Sequence, residues 1–249
     1  MTMLKAQVRS FAFPYPVYKF IIKNRWSWKY LLIPILINLT IFFLFWFLLF
    51  DFVKVFVSGL EILGSIPHIF TTVISGLLLL ITFLISIYIF FLLATLIASP
   101  FNGLLAEKML VNSGILSQTT DSGIKKIVVE IFRAVQFESV KIFLIILIAL
   151  AGFLIAFIPA IGLFLSTTLS FAGNSYLTLA DFFDPVLSYK GMPVSRRFLY
   201  VKRSLSDNFG LFLVSGLFMY VPIINIFYIP IGVIAATLSY MAKTDKMSK

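Results

Sequence analysis

Long stretches without a charged residue constrain this chain more than any other feature of its sequence. Four of them hold 21, 45, 39 and 35 residues, and they lie between Lys29 and Asp51, Glu61 and Glu107, Lys141 and Asp181, and Asp207 and Lys243. A helix crosses the hydrocarbon core with about 20 apolar residues. Only 12% of the residues are charged, whereas a soluble protein has about 25%. The sequence therefore predicts an all-α integral membrane protein, with residues 1–249 as a single membrane domain.

The residue types that carry most enzyme and metal chemistry are scarce. Cysteine is absent and His68 is the single histidine, which excludes disulfides, thiolate metal sites and cysteine nucleophiles. The phosphate-binding loop of nucleotide hydrolases is also absent. We therefore predict that the protein is not an enzyme and holds no metal or cofactor. His68 is interpreted as a loop residue at a membrane interface.

The basic residues indicate how the chain is oriented. Nineteen of the 20 Lys and Arg residues lie before the first apolar run, between the second and third, between the third and fourth, or after the fourth. An even number of crossings places these segments on one side, which the positive-inside rule makes cytoplasmic. We predict a multi-pass protein with both termini in the cytoplasm and amphipathic interfacial helices within residues 102–141 and 185–207. Leaflet anchoring explains most of these charges, and no pattern of a nucleic-acid-binding module accompanies them.

The four apolar runs differ in whether proline interrupts them. Residues 28–57 and 68–98 are each long enough for a tilted spanning helix. Residues 142–180 and 208–242 contain proline in a repeated context, FIPAIGLF in the first and YVPIINIF in the second. Corresponding helix breaks in two parts of a membrane protein indicate an internal structural repeat. We therefore predict two long transmembrane helices followed by two proline-broken helical hairpins.

The limbs before these prolines are short. Ile142–Ile158 has 17 residues, or about 26 Å, and Asn208–Val221 has 14, or about 21 Å. The hydrocarbon core is about 30 Å thick. We predict that both hairpins enter from the cytoplasmic side, turn at Pro159 and Pro222, and penetrate only partly. The alternative is two full spans that are kinked at proline.

A polar stripe follows the returning limb of the third run. Ser166, Ser170, Asn174 and Thr178 recur every four residues, while leucines occupy the remaining face. Polar side chains inside a bilayer face protein or water. Two interpretations stay open: hydrogen bonding between helices, and the lining of an aqueous path.

The segment ASPFNGLLAEK ends the second apolar run. Its proline predicts that one helix ends at Ser99 and that another starts at Pro100. Asn102, Glu107 and Lys108 are then expected at the cytoplasmic interface. By composition alone the segment is an interfacial turn.

The run PFN-x-LLAEK, with Pro100, Phe101, Asn102, Glu107 and Lys108, closely resembles the signature of the CysZ family of bacterial sulfate permeases. This family shares its domain with the etoposide-induced-protein-like membrane family. YLLIPILINL, FIPAIG and YVPIINIFYIPIGVIAATLSYM resemble further parts of the family in the same order. The resemblance covers about residues 15–242.

The resemblance implies an oligomer in the bacterial inner membrane that takes up sulfate. It also implies two spanning helices and two partly penetrating helical pairs. The apolar runs hold almost no ionisable group, which favours a passive or gradient-driven path. The alternative is a non-transport membrane protein that organises partners or lipid.

The permeases carry a sulfate motif just before the first span, and this chain has NRWSWKY at that place. Arg25 and Lys29 are four residues apart, so on a helix they share a face and present two cations to one dianion. Lysine stands where the family has arginine, which retains the charge but loses the bidentate fork. We predict anion binding by Arg25 and Lys29. The alternative is that this segment, with its two tryptophans, anchors the chain at the membrane interface.

Overall fold

Helices make up all of the regular structure in the part of the chain that is described by the computed structural model, residues 14–61, 68–117, 124–219 and 222–247. The α-helices are α1 (Pro14–Lys23), α2 (Trp28–Glu61), α3 (His68–Asn112), α4 (Ile124–Ala156), α5 (Gly162–Tyr189), α6 (Val194–Ser204), α7 (Phe209–Met219) and α8 (Pro222–Met247). A 3-10 turn, Arg25–Ser27, precedes α2. The chain is therefore all-α over these residues, as predicted.

Contacts divide the chain into two compact units. One consists of the chain up to Ile33 together with Ser99 onward, and the other of Pro34–Ala98. The second unit exposes large apolar side chains, and Phe43 and Phe47 are each 68% exposed. Apolar surface of this extent requires a covering such as lipid. The segment Arg25–Leu49 is long and apolar enough to cross a membrane.

Helix α3 differs from the sequence-based expectation at both ends. His68 is its first residue rather than a loop residue, and Pro100 lies inside it. The predicted helix end at Ser99 is therefore wrong. A proline removes one backbone hydrogen bond of the helix, and burial of the following turns, including Leu105 and Met109, compensates for that loss.

The chain reverses direction between α4 and α5. Residues 157–161 form the turn, in which the Ile161 backbone N–H donates to the Pro159 carbonyl at 2.8 Å. Ala160 has a φ of 68°, a left-handed conformation that costs a non-glycine residue about 1 kcal/mol. The turn leads into Gly162, where a side chain would not fit, because a Cβ there would lie 2.5 Å from the Ile155 carbonyl oxygen. Pro159 thus lies within a tight turn in which backbone groups pack closely against each other.

Helices α4 and α5 pack against each other in antiparallel register. Near the turn, a Cβ on Gly152 would lie 3.3 Å from Ser166 Oγ, and farther from the turn the ion pair between Lys141 and Asp181 joins the two helices at 3.1 Å. Helix α4 begins well before the predicted limb, since it also includes the charged segment from Ile124 to Lys141. Its segment Ile131–Ala156 is long and apolar enough to cross a membrane.

Helices α7 and α8 form a second packed pair. The Asn208 Oδ1 atom accepts a hydrogen bond from Ser239 Oγ at 2.7 Å, and the rings of Phe218 and Tyr228 lie 4.8 Å apart. These two contacts fix an antiparallel register. Pro222 is the first residue of α8, a position where its missing N–H costs nothing. Residues 220–221, which the predicted turn includes, lie outside the described residues.

The buried core lies away from the α4–α5 turn. At the turn, Phe157, Leu163 and Phe164 are 71%, 74% and 72% exposed. Toward the other ends of α5 and α8, large side chains are fully buried; these are Leu105, Met109 and Leu110 of α3, Phe182, Phe183 and Leu187 of α5, Val201 of α6, Leu211 of α7, and Val233 and Ile234 of α8. The C-terminal part of α3, which carries the PFN-x-LLAEK run, thus contributes directly to the core.

Candidate functional site

Asn24 organises the connection between α1 and α2, which we call the entry turn (residues 24–30). Its side-chain Nδ2 donates to the Phe20 carbonyl at 2.9 Å, and its Oδ1 accepts from Trp26 Nε1 at 3.2 Å. Its backbone carbonyl accepts from both the N–H and the hydroxyl of Ser27, at 2.9 and 2.8 Å. Asparagine side chains commonly form such local hydrogen bonds to the backbone in turns. The entry turn is therefore held in a defined conformation.

The two tryptophans of the entry turn have different surroundings. Trp26 packs edge-on against Phe20 and Tyr30, with ring centroids 5.9 and 6.1 Å away. Trp28 is 48% exposed, and its Nε1 donates to the Ile21 carbonyl at 3.0 Å. Trp28 retains the features of an interfacial residue. Trp26 instead belongs to an aromatic cluster.

Both predicted anion ligands are exposed, but the helical premise for joining them is not met. Arg25 belongs to the 3-10 turn, whereas Lys29 is the second residue of α2. A spacing of four brings two side chains onto one face only within a continuous α-helix. Lys29 Nζ lies 5.0 Å from the centroid of the Tyr30 ring. The pair remains a predicted site, with Arg25 on the 3-10 turn and Lys29 on the first turn of α2.

Lys108 joins the family motif to the entry turn. Its Nζ lies 5.1 Å from the centroid of the Trp26 ring, within the range of a cation–π contact. Sequence reasoning placed Lys108 at an interface without this partner, because the two residues are far apart in the chain. The structure thus brings a third cation beside the segment that carries Arg25.

The remaining motif residues are more enclosed than predicted. Asn102 is 5% exposed and Glu107 8% exposed, so both side chains are enclosed by protein, and their position at the cytoplasmic interface stays a prediction. Because α3 continues past Pro100, Asn102 shares the core-facing stripe of Leu105 and Met109. Phe101 is half-buried. The Asn102 Oδ1 atom has no hydrogen-bond partner among the described residues.

The polar stripe of α5 faces α4 along part of its length. Ser166 and Ser170 both approach Gly152, and a Cβ there would lie 3.3 and 3.5 Å from their hydroxyl oxygens. Thr178 is buried and Asn174 is half-buried. The two serines are therefore helix-packing residues. The lining of an aqueous path by all four residues stays a prediction.

Three enclosed ion pairs, formed by two cations, lie at the base of the α4–α5 pair, the end away from its turn, and sequence reasoning missed them. Lys141 Nζ contacts Glu138 Oε1 at 2.7 Å and Asp181 Oδ1 at 3.1 Å. Arg197 Nη1 contacts Asp184 Oδ1 at 2.6 Å. The spacing of three between Glu138 and Lys141 is visible in the sequence, but the partners on other helices are not. No group of acidic residues or His that could hold a metal ion occurs among the described residues.

Comparison with known proteins extends over nearly the whole chain. The family described as Sulfate transporter CysZ/Etoposide-induced protein 2.4 matches residues 16–230. The sulfate transporter CysZ of Vibrio parahaemolyticus is 26% identical over 218 residues, which cover 86% of this chain and 87% of the relative. That of Vibrio atlanticus is 30% identical over 86% of this chain and 85% of the relative. That of Pectobacterium atrosepticum is 29% identical over 88% and 80%.

The matched region contains the entry turn, the PFN-x-LLAEK run and both proline segments. It therefore includes every element from which the candidate site is built. A match of this extent, shared with relatives that align along most of their own length, shows that the chain belongs to the family of the sulfate transporter CysZ and etoposide-induced protein 2.4.

Proposed function

We propose that this chain provides a path by which a small inorganic anion, sulfate in the first place, crosses the bacterial inner membrane. The observation that carries the proposal is the function named in its relatives. Three of them, aligned with 86% to 88% of this chain, are named sulfate transporters. The cations of the entry turn, with Lys108 beside them, suit a dianion.

The path is passive or driven by the anion gradient. Coupled carriers usually place carboxylates or histidines within the membrane. Residues 142–180 and 208–242 hold none. The Lys141 ammonium lies at the end of the first of these runs, where Glu138 and Asp181 already neutralise it.

We further propose that the pairs α4–α5 and α7–α8 are hairpins that enter the membrane from the cytoplasmic side and penetrate it only partly. The protein forms a homo-oligomer. Helix α7 has 11 residues, or about 17 Å, which is shorter than the hydrocarbon core of about 30 Å. The part of α4 beyond Lys141 is about 22 Å long. The exposed phenylalanines and leucines at the α4–α5 turn require lipid around them.

Uptake of radiolabelled sulfate into vesicles that contain the purified protein tests the proposed function. Accumulation should exceed that of protein-free vesicles and should stop when internal and external sulfate are equal, because no energy source drives a passive path. Unlabelled sulfate should compete with the label. Folded protein that gives no uptake above the protein-free control would instead favour a non-transport role in organising partners or lipid.

Replacement of Lys29 tests the candidate anion site. Lys29→Gln should weaken sulfate binding by about 10- to 100-fold, because a charge-assisted contact contributes about 1.5 to 3 kcal/mol. Lys29→Arg should preserve or improve binding, since it restores the guanidinium fork. Calorimetric titration of the folded protein measures both. The matched controls Lys19→Gln and Lys243→Gln should bind as the wild type does, and unchanged binding by the Arg25→Gln, Lys29→Gln double variant would remove the site assignment.

Cysteine labelling tests the topology, since the chain has no cysteine of its own. Ser113→Cys, in the turn after α3, should resist an impermeant reagent applied to intact cells and react in inverted vesicles. Gly59→Cys should label readily from outside. Ile158→Cys, beside Pro159, should label poorly from outside because the hairpin turns within the membrane. Equal external labelling at positions 59 and 158 would favour full spans.

A further inference from the structure

Helix α6 separates its residues into two faces. Arg197, Phe198, Val201 and Ser204 are buried. The opposite face is exposed and consists of Ser195, Arg196, Leu199, Lys202 and Arg203. At 100° per residue these five side chains fall within an arc of about 120° centred near Leu199. We call this arc the outer face of α6.

The buried face fixes the rotation of the helix. Arg197 Nη1 contacts Asp184 Oδ1 at 2.6 Å, and Arg197 Nε donates to the Met192 carbonyl at 2.7 Å. The Phe198 ring stacks on Phe137 with centroids 5.0 Å apart and an interplanar angle of 3°. Two neighbouring arginines therefore have opposite roles: Arg197 locks the helix, and Arg196 is held outward.

Helix α6 packs against the two helices of the first proposed hairpin. Phe137 belongs to Ile131–Ala156, which is apolar and long enough to cross a membrane. The Tyr176 hydroxyl, from the returning limb of the first helix pair, donates to the Phe198 carbonyl at 2.7 Å. In the proposed topology, a helix that packs on both α4 and α5 away from their turn lies at the depth of the cytoplasmic membrane surface.

The outer face carries three cations and no anion. Helix α6 contains no Asp or Glu, and Arg196, Lys202 and Arg203 form no ion pair with any residue that the structure describes. Leu199, in the middle of these cations, is 44% exposed. A leucine flanked by long basic side chains matches the boundary between phosphate headgroups and acyl chains, where aliphatic stems are buried and charges stay wet.

We propose that the outer face of α6 binds anionic phospholipid headgroups of the cytoplasmic leaflet. The phosphates neutralise the three cations, and Leu199 enters the upper part of the acyl region. Through Arg197 and Phe198, the bound lipid then holds the base of the α4–α5 pair at the membrane surface. This inference rests on the proposed topology and not on sulfate as the transported anion, so a failure of sulfate uptake leaves it intact.

A fluorophore on the outer face tests the proposal with the full-length protein. Ser195→Cys is labelled with an environment-sensitive dye, and the protein is placed in vesicles of phosphatidylcholine alone or mixed with phosphatidylglycerol. Emission should shift to the blue in the mixture. The triple variant Arg196→Gln, Lys202→Gln, Arg203→Gln should abolish the shift, whereas Arg196→Lys with Arg203→Lys should retain it because the charge is kept. Dye at Ser113→Cys should show no such dependence on phosphatidylglycerol.

Lipid affinity gives a second readout. Each cation near an anionic surface contributes a factor of about five, so the triple variant should bind phosphatidylglycerol on the order of 100-fold more weakly in a native mass spectrometry titration. Single Gln variants, each about five-fold weaker, replace the triple variant if it does not fold. Identical emission in the two vesicle types would overturn the proposal, and so would wild-type lipid affinity in the folded variants. Disulfide-linked dimers of unlabelled Ser195→Cys would show instead that a second copy of the chain covers this face.

Discussion

Replacing Lys141 by methionine is expected to lower the apparent melting temperature of the protein in detergent by about 10 °C. The substitution strands two enclosed carboxylates, because Lys141 Nζ is the shared partner of Glu138 and Asp181, at 2.7 and 3.1 Å. Breaking a buried ion pair from one side costs about 3 to 5 kcal/mol, and 1 kcal/mol shifts the melting temperature of a chain of this size by about 2 to 4 °C. The loss should shrink as pH falls, because burial raises the pKa of Asp181 to about 7 and its protonation removes a stranded charge. Fluorescence-detected thermal unfolding at two pH values measures both effects.

A second lysine provides the matched control. Lys243 also contacts a carboxylate, Asp207 Oδ2 at 2.6 Å, but its side chain is 34% exposed whereas that of Lys141 is 13% exposed. Lys243→Met should therefore cost at most about 1 kcal/mol. The triple variant Lys141→Met, Glu138→Gln, Asp181→Asn should recover much of the stability, since it leaves no unpaired charge. If the two lysine variants melt alike, the enclosed pair does not hold the base of the α4–α5 pair.

Gly232→Ala is expected to destabilise the core by about 1 to 3 kcal/mol, or about 5 °C in melting temperature. A Cβ on Gly232 would lie 2.5 Å from the Cδ1 and Cε1 atoms of Phe182. Phe182 is fully buried, and its ring also packs against Tyr228 at 5.3 Å between centroids. The ring therefore has no free space into which it can move. Thermal unfolding of the purified variant in detergent is the measurement.

A double-mutant cycle separates overpacking from other causes. Phe182→Ala removes the Cγ, Cδ1 and Cε1 atoms that the new Cβ would meet, and should make Gly232→Ala cheaper in the double variant than in the wild-type background. Gly76→Ala is the matched control, because a Cβ at Gly76 meets nothing within 4 Å and alanine is the better helix former. Equal destabilisation by the two glycine variants would contradict the close approach of α8 to α5.

Much of the fold follows from patterns along the chain. The uncharged runs predict the helices because a bilayer leaves the backbone no other partner than itself. The repeated proline contexts predict two chain reversals, and the chain does reverse between α4 and α5, where Pro159 lies in the turn. The continuity of α3 through Pro100 could not be predicted, because it depends on burial of the turns that follow. Local sequence reports the missing hydrogen bond of a proline but not what compensates for it.

In the candidate site too, some features can be read from the sequence and others depend on how the helices pack. The sequence by itself determined that the chain is a helical membrane protein of this family and that Arg25 and Lys29 lie at the start of the first apolar run. It also predicts that the basic residues share one side of the membrane. Periodicity, charge and motif are properties of neighbouring residues, so they can be read directly. Only the tertiary structure decided that Lys108 lies over Trp26 and that Lys141 meets Asp181, 40 residues away. It also decided that Arg197 is buried while Arg196 is exposed. Such contacts arise when separate helices pack, and the free energy of a charge depends on the partners and the burial that packing provides.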